Sequence, residues 1–168
     1  MSVVSEFLEA NQRYAAGFTK GDLPLPPKRH VAVLVCMDAR IDPAQALGLE
    51  EGDAHVIRNA GGRASGDAIR SLAISQQLLG TREVVVIHHV DCGMLTFSNE
   101  QLRAKCKDEL GADAAAAAER IDFLPFPDLE QSVRDDVAAL RGSPLLRPDT
   151  QVAGFVYDVT TGKLAPVD

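Results

Sequence analysis

Two segments of the chain are apolar at every position rather than at every second one. Residues 30–36 contain the run Val31-Ala32-Val33-Leu34-Val35, and residues 83–89 contain Val84-Val85-Val86-Ile87. A strand with one face in water alternates apolar and polar residues, whereas an unbroken run is typical of a strand buried on both faces of a parallel sheet. Because helices cover both faces of such a sheet, the two segments predict an α/β fold.

The rest of the chain supplies the other elements of this fold. Ser98 with Gln101, and Asp128 with Gln131, have the spacing of capping boxes that begin helices, which we expect to end at Gly111 and Gly142. We expect strands at 53–58 and 151–159, a helix at 66–79, and helical structure in the alanine run 114–118. Strands that alternate with helices predict one α/β domain over residues 1–168, with a mainly parallel sheet flanked by helices.

The N-terminal segment has a character of its own. Residues 3–18 carry apolar side chains at helical spacing, and a proline-rich stretch at 23–27 prevents the helix from continuing. Such a helix can pack on a second subunit or fold back on its own sheet, and the pattern leaves both alternatives open. We therefore divide the domain into an N-terminal helix and arm, residues 1–28, and an α/β core, residues 30–168.

Composition excludes several classes of function. The chain has 24 acidic and 17 basic residues and a net charge of −7, which disfavours binding to nucleic acid or an anionic membrane. The longest apolar runs are as short as strands, so no membrane-spanning helix is expected. No basic segment precedes an apolar one near the N-terminus, so we expect neither a secretory signal nor a transit peptide. Three cysteines do not make a disulfide framework, which favours a reducing cytoplasm.

Three residues at predicted strand ends have the chemistry of a metal site. Cys36 ends the first apolar strand, His89 ends the second, and Cys92 follows three residues later. Ligands gather at the carboxyl ends of parallel strands, and two thiolates with one imidazole are ligands that Zn²⁺ prefers. A structural zinc site has four protein ligands, so three with an open fourth position indicate catalysis by a metal-bound water.

Two further residues are alternatives for this site. His88 precedes His89, but successive residues of a strand point to opposite faces, so only one of the two histidines can reach the metal. The spacing to Cys92 favours His89, and we expect His88 to be a core or interface histidine. Cys106 lies within a predicted helix without another candidate ligand nearby, and we expect a free thiol there.

Asp38 and Arg40 are the other candidate site residues. Both share strand parity with Cys36, so all three side chains face one side if the extended path continues. Asp38 can then accept a hydrogen bond from the bound water or bind the metal itself. Arg40 can hold the carboxylate in a bidentate pair and keep it ionised.

Three motifs in order resemble those of the β-class carbonic anhydrases: residues 36–40 (CMDAR), 56–61 (VIRNAG) and 89–93 (HVDCG). The resemblance implies a zinc ion held by Cys36, His89 and Cys92, an Asp38/Arg40 dyad, and reversible hydration of carbon dioxide to bicarbonate by zinc-bound hydroxide. It also implies a homodimer or larger homo-oligomer with active sites near subunit contacts.

Other functions stay open at this point. His88, Val90, Met94 and Gly62 depart from the commoner family pattern, and the form of the last motif is similar to the branch that contains carbonyl sulfide hydrolases. A second alternative is a non-catalytic zinc module in which Asp38 closes the fourth position. A third is a dinucleotide-binding domain, which residues 61–66 (GGRASG) disfavour because they do not match G-x-G-x-x-G.

Overall fold

Five strands form one sheet in this structure, a computed structural model that describes residues 2–168. The strands are β1 (Val31–Cys36), β2 (Ala54–Asn59), β3 (Glu83–His89), β4 (Gln151–Tyr157) and β5 (Leu164–Val167). Their order in the sheet is β2-β1-β3-β4-β5, with β1 to β4 parallel and β5 antiparallel to β4. The predicted fold class, an α/β domain with a mainly parallel sheet, is therefore confirmed.

The unbroken apolar strands are buried on both faces, as predicted. On one face, Ala32 and Leu34 of β1 and Val84 and Val86 of β3 pack against helices α3 (Gly66–Leu79) and α6 (Leu129–Arg141). On the other face, Val33, Val35 and Ile87 belong to a second cluster with loop residues such as Phe126. The two clusters together bury the centre of the sheet, whose carboxyl edge carries the candidate site.

Most predicted boundaries hold to within two residues. The capping box at Ser98 and Gln101 begins α4 (Asn99–Leu110), and the alanine run lies in α5 (Ala112–Ala118). The second capping box is only half formed: Asp128 accepts from the Gln131 backbone, but the Gln131 side chain donates to Asp135 instead of returning to the cap.

A short helix that the sequence analysis did not predict, α2 (Pro43–Leu47), follows β1. Asp42 caps its first turn by accepting from the backbone N–H groups of Ala44 and Gln45, proline occupies an early position, and Gly48 ends it in the left-handed conformation. These are ordinary start and stop signals. The helix spans only five residues, which is too short for an apolar periodicity to appear.

The N-terminal helix α1 (Val3–Ala16) has no buried residue. Val3, Val4, Phe7 and Leu8 are each 59–67% exposed. The helix touches the body of the domain through polar groups near its end, where Tyr14 donates to Glu51 at 3.4 Å. The alternative in which residues 3–18 fold back onto their own sheet is therefore wrong. Across residues 2–168, no helix has both the length and the apolar character needed to cross a membrane.

Candidate metal centre

The structure brings Cys36, His89 and Cys92 together. The two sulfur atoms and a ring nitrogen of the histidine all lie within 4.8 Å of one another, and all three residues are buried. Cys36 is the last residue of β1 and His89 the last of β3, and these neighbouring parallel strands end at the same edge. Cys92 reaches the same point because the chain turns sharply after β3, with Asp91 in the left-handed region at φ +56°.

The orientation of His89 leaves one ring nitrogen free for a ligand. Its Nδ1 donates to the backbone oxygen of Val90 at 2.9 Å. Its Nε2 is, for the part of the chain that is described, the single buried side-chain nitrogen or oxygen without a hydrogen-bond partner. Leaving such an atom unpaired costs free energy, and a metal ion satisfies it. With two cysteine sulfurs beside it, the donor set fits Zn²⁺.

The two cysteine side chains of the cluster perturb each other's pKa in opposite directions. The hydrogen bond with Cys92, together with the backbone N–H groups of Asp38 and Gly61, outweighs burial and lowers the pKa of Cys36 to about 4. The same hydrogen bond with Cys36, together with burial, raises the pKa of Cys92. A cation held by both sulfurs would stabilise them as thiolates, the form that binds metal.

Asp38 and Arg40 form a tight pair beside this cluster. Arg40 donates from Nε to Oδ1 of Asp38 at 3.0 Å and from Nη2 to Oδ2 at 2.8 Å. These bonds hold the pKa of Asp38 well below its usual range. Oδ2 of Asp38 lies 3.7 Å from Nε2 of His89, near the ligand atoms but outside their cluster. The assignment of Asp38 as a metal ligand stays a prediction.

The expectation that strand alternation places Asp38 and Arg40 on one side was wrong, however. Strand β1 ends at Cys36, so the extended path does not continue to residue 40. Instead, residues 38–41 form a turn in which Ile41 N donates to Asp38 O at 3.1 Å and Arg40 N donates to Asp38 Oδ1 at 2.9 Å. The turn, and not strand alternation, brings the guanidinium back onto the carboxylate.

A glycine turn after β2 permits the close approach of the strand ends. Gly62 has φ +70°, and a Cβ atom there would lie 2.8 Å from the Ile87 oxygen and 2.9 Å from the Cys36 nitrogen. Any side chain at residue 62 would therefore force the carboxyl ends of β1 and β3 apart.

A cavity of about 440 Å³ lies against the cluster. Its polar lining comes from Cys36, Asp38, His89 and Cys92. The other large side chains that line it are apolar: Met37, Met94, Phe97, Leu102 and Phe123. A cavity with this lining suits a small neutral molecule and disfavours a large or highly charged one.

The two alternatives for the site lie elsewhere, as expected. His88 is fully buried on the opposite face of β3, where its Nδ1 contacts Ser132 Oγ at 2.7 Å and its Nε2 contacts Asp136 Oδ2 at 3.1 Å. Cys106 is half-buried in α4 and is not part of the ligand cluster.

Sequence reasoning missed a buried ion pair behind the site. Arg63 donates from Nε and Nη2 to the two oxygens of Asp136 at 2.8 and 3.0 Å, and from Nη1 to the Leu124 oxygen at 3.0 Å. Phe126 stacks on His88 and also lies under the Arg63 guanidinium. The two charged partners are 73 residues apart in the chain, so no local pattern connects them.

Comparison with known proteins gives consistent results. A family model described as carbonic anhydrase matches residues 31–164. Beta-carbonic anhydrase 1 of Mycobacterium tuberculosis is 47% identical over 99% of both chains. A carbon disulfide hydrolase of an Acidianus species is 35% identical over 96% of this chain and 89% of its own. The solved structure of a carbonic anhydrase from Glaciozyma antarctica is 53% identical, covers 100% of both chains and superposes with a TM-score of 0.94.

Proposed function

The chain belongs to the β-carbonic anhydrase family, and we propose that Cys36, His89 and Cys92 hold the zinc ion with which it hydrates carbon dioxide reversibly to bicarbonate. The observation that carries this assignment of ligands is the unpaired Nε2 of His89, which is buried beside two cysteine sulfurs. When bound, zinc acts as a Lewis acid that lowers the pKa of water towards neutrality and so makes water a nucleophile.

The remaining residues of the site prepare the reactants. The apolar wall formed by Met37, Met94 and Phe123 accepts a neutral, linear molecule and keeps bulk water away from it. Asp38 stays ionised at neutral pH because Arg40 holds its pKa low, so it accepts a hydrogen bond from the attacking water and does not carry the proton away. When it is released from Arg40, the same carboxylate is the candidate for the fourth ligand position.

Two alternatives have less support. Some relatives are named for a sulfur-containing substrate: the carbon disulfide hydrolases are 30–35% identical to this chain, against 47% for beta-carbonic anhydrase 1 of Mycobacterium tuberculosis. Carbonyl sulfide therefore ranks second as a substrate. A closed, non-catalytic zinc module requires Asp38 on the metal, whereas Arg40 engages both of its oxygens.

We also propose that the enzyme is a cytoplasmic homodimer or larger homo-oligomer. The apolar side chains of α1 are exposed in one subunit, and an apolar surface of this kind is typical of a protein contact. In this proposal residues 1–28 are an arm that packs on the partner, and residues 30–168 are the catalytic core. The three free cysteines suit a reducing compartment.

The experiment compares matched cysteine variants of the zinc-loaded protein. Cys36→Ser and Cys92→Ser are expected to lose stoichiometric zinc and carbon dioxide hydration, because each removes one of three ligands. Cys106→Ser, which removes a thiol outside the cluster, is the control and should keep both. Zinc is measured by mass spectrometry and hydration by stopped flow, with carbonyl sulfide assayed in parallel. Full zinc content in Cys36→Ser would contradict the assignment.

A further inference from the structure

The guanidinium of Arg40 is held on two sides, and only one of them is the dyad with Asp38. On the other side, Nη1 donates to Oδ2 of Asp91 at 2.7 Å and Nη2 donates to the backbone oxygen of Asp91 at 3.1 Å. One residue therefore offers both its carboxylate and its carbonyl to the same guanidinium. Such a bidentate contact fixes the orientation of the planar guanidinium as well as its position.

Asp91 reaches this position through an unusual backbone conformation. Its φ is +56°, in the left-handed region that residues other than glycine seldom adopt, although aspartate tolerates it better than most. Backbone outliers of this kind concentrate at functional sites. At residue 91 the left-handed turn lies between His89 and Cys92.

The contact joins the two segments that supply the ligands. Arg40 belongs to the turn that follows Cys36, and Asp91 belongs to the loop that carries His89 and Cys92. The pair therefore bridges residues 51 positions apart at the edge of the sheet where these segments meet. Any movement of Arg40 relative to this loop also moves Asp38, whose carboxylate Arg40 holds.

We propose that Asp91 is a positioning residue for the reaction: it fixes Arg40, and through Arg40 it fixes Asp38 beside His89. Without the Asp91 carboxylate, Arg40 keeps one backbone acceptor at 3.1 Å on that side. Arg40 and Asp38 then sample positions away from the site. The proposal rests on the function proposed above.

Exposure separates this role from a role in folding. The side chain of Asp91 is 78% exposed, whereas that of Asp38 is 18% exposed. Ion pairs exposed to this degree contribute little to stability. Loss of the Asp91 carboxylate therefore leaves the fold intact and changes the geometry of the site.

A double-mutant cycle tests the proposal. Asp91→Asn keeps a residue that tolerates positive φ and removes the charge, and it is made both in the wild type and in an Arg40→Ala background. Asp149→Asn is the matched control, because Asp149 is an exposed aspartate paired with Arg147 outside the metal site. For each protein we measure zinc release to a chelator, kcat and KM for hydration, and the melting temperature.

The expected result is that the effects of the Asp91 and Arg40 substitutions are not additive, which follows only if Asp91 acts through Arg40. Asp91→Asn lowers kcat and speeds zinc release by about threefold to tenfold, the size expected for one charge-assisted hydrogen bond at a partly exposed site, and leaves KM and the melting temperature unchanged. In the Arg40→Ala background the same change has no further effect. The control leaves all quantities unchanged.

Two results would overturn the proposal: a cycle in which the two effects multiply independently, or an Asp91→Asn variant equal to the wild type. If the wild-type protein does not hydrate carbon dioxide, the proposed function fails, and the zinc-release measurements still decide whether Asp91 acts through Arg40.

Discussion

Replacing Arg63 with methionine tests the buried ion pair behind the metal centre. The side chains of Arg63 and Asp136 are 12% and 7% exposed, so the variant leaves a carboxylate in the interior without the two N–H donors at 2.8 and 3.0 Å. Breaking a buried pair from one side costs about 3–5 kcal/mol. Asp136 keeps the Ala64 N–H and the His88 contact, both at 3.1 Å, so we expect the lower end, about 3 kcal/mol.

The loss should depend on pH in a direction that the pKa of Asp136 determines. Burial raises this pKa, but the hydrogen bonds from His88 and Arg63 outweigh it, and the pKa lies below its ordinary value. In the wild type the ionised carboxylate therefore stabilises the fold above about pH 4, and this contribution is lost at lower pH. Without Arg63 the pKa rises, and protonation relieves the penalty as the pH falls. The stability deficit of Arg63→Met should thus be largest at pH 8 and shrink towards pH 5.

The assay is thermal and urea unfolding of zinc-loaded wild type and variant at equal protein concentration and at several pH values. At pH 8 a loss of about 3 kcal/mol corresponds to a fall in melting temperature of roughly 6–12 °C for a chain of this size. Arg70→Met, which breaks the exposed pair with Asp67, is the control and should change stability by about 0.5 kcal/mol or less. Adding Asp136→Asn to Arg63→Met should recover part of the loss, because the uncompensated charge is gone. A deficit below about 1 kcal/mol at pH 8, or one that grows as the pH falls, would show that Arg63 does not compensate a buried charge on Asp136.

Two further predictions follow from other parts of the structure. Removal of residues 2–20 is expected to give monomer, aggregate or inactive protein, because the apolar side chains of α1 pack on a partner in our proposal; full-length protein that sediments as a fully active monomer would contradict this. Gly62→Ala is expected to lower stability by about 2–4 kcal/mol and to reduce zinc content, since a Cβ there meets two backbone atoms of β1 and β3 at positive φ. Gly66→Ala, with nothing within 4 Å of the added Cβ, is its control and should keep full zinc content.

The sequence predicted correctly those helices and strands whose positions depend on the spacing of neighbouring residues. The unbroken apolar runs gave the correct positions for β1 and β3, and the helix predicted at 66–79 matches α3. The ligand cluster followed from the same information, since Cys36 and His89 close neighbouring parallel strands. Because successive residues of β3 point to opposite faces, the sequence also predicted correctly that only one of His88 and His89 joins the cluster.

The remaining features depend on contacts that the sequence does not display. Asp91 and Arg40 meet only after folding, and so do Asp136 and Arg63, so no spacing rule connects either pair. The half-formed capping box of α6 shows a competition of another kind. There the Gln131 side chain donates to Asp135 one turn later instead of accepting from the backbone N–H of Asp128 at the cap.

The adjacency of His88 and His89 has a consequence for engineering. His88 and His89 are neighbours in the chain. The His89 ring lies in the ligand cluster, and α6 holds the His88 ring through Ser132 and Asp136. A substitution in α6 that displaces His88 is therefore expected to move the end of β3, and His89 with it. A library built in α6 to improve expression or solubility would sample zinc affinity at the same time. Selection for one property should monitor the other.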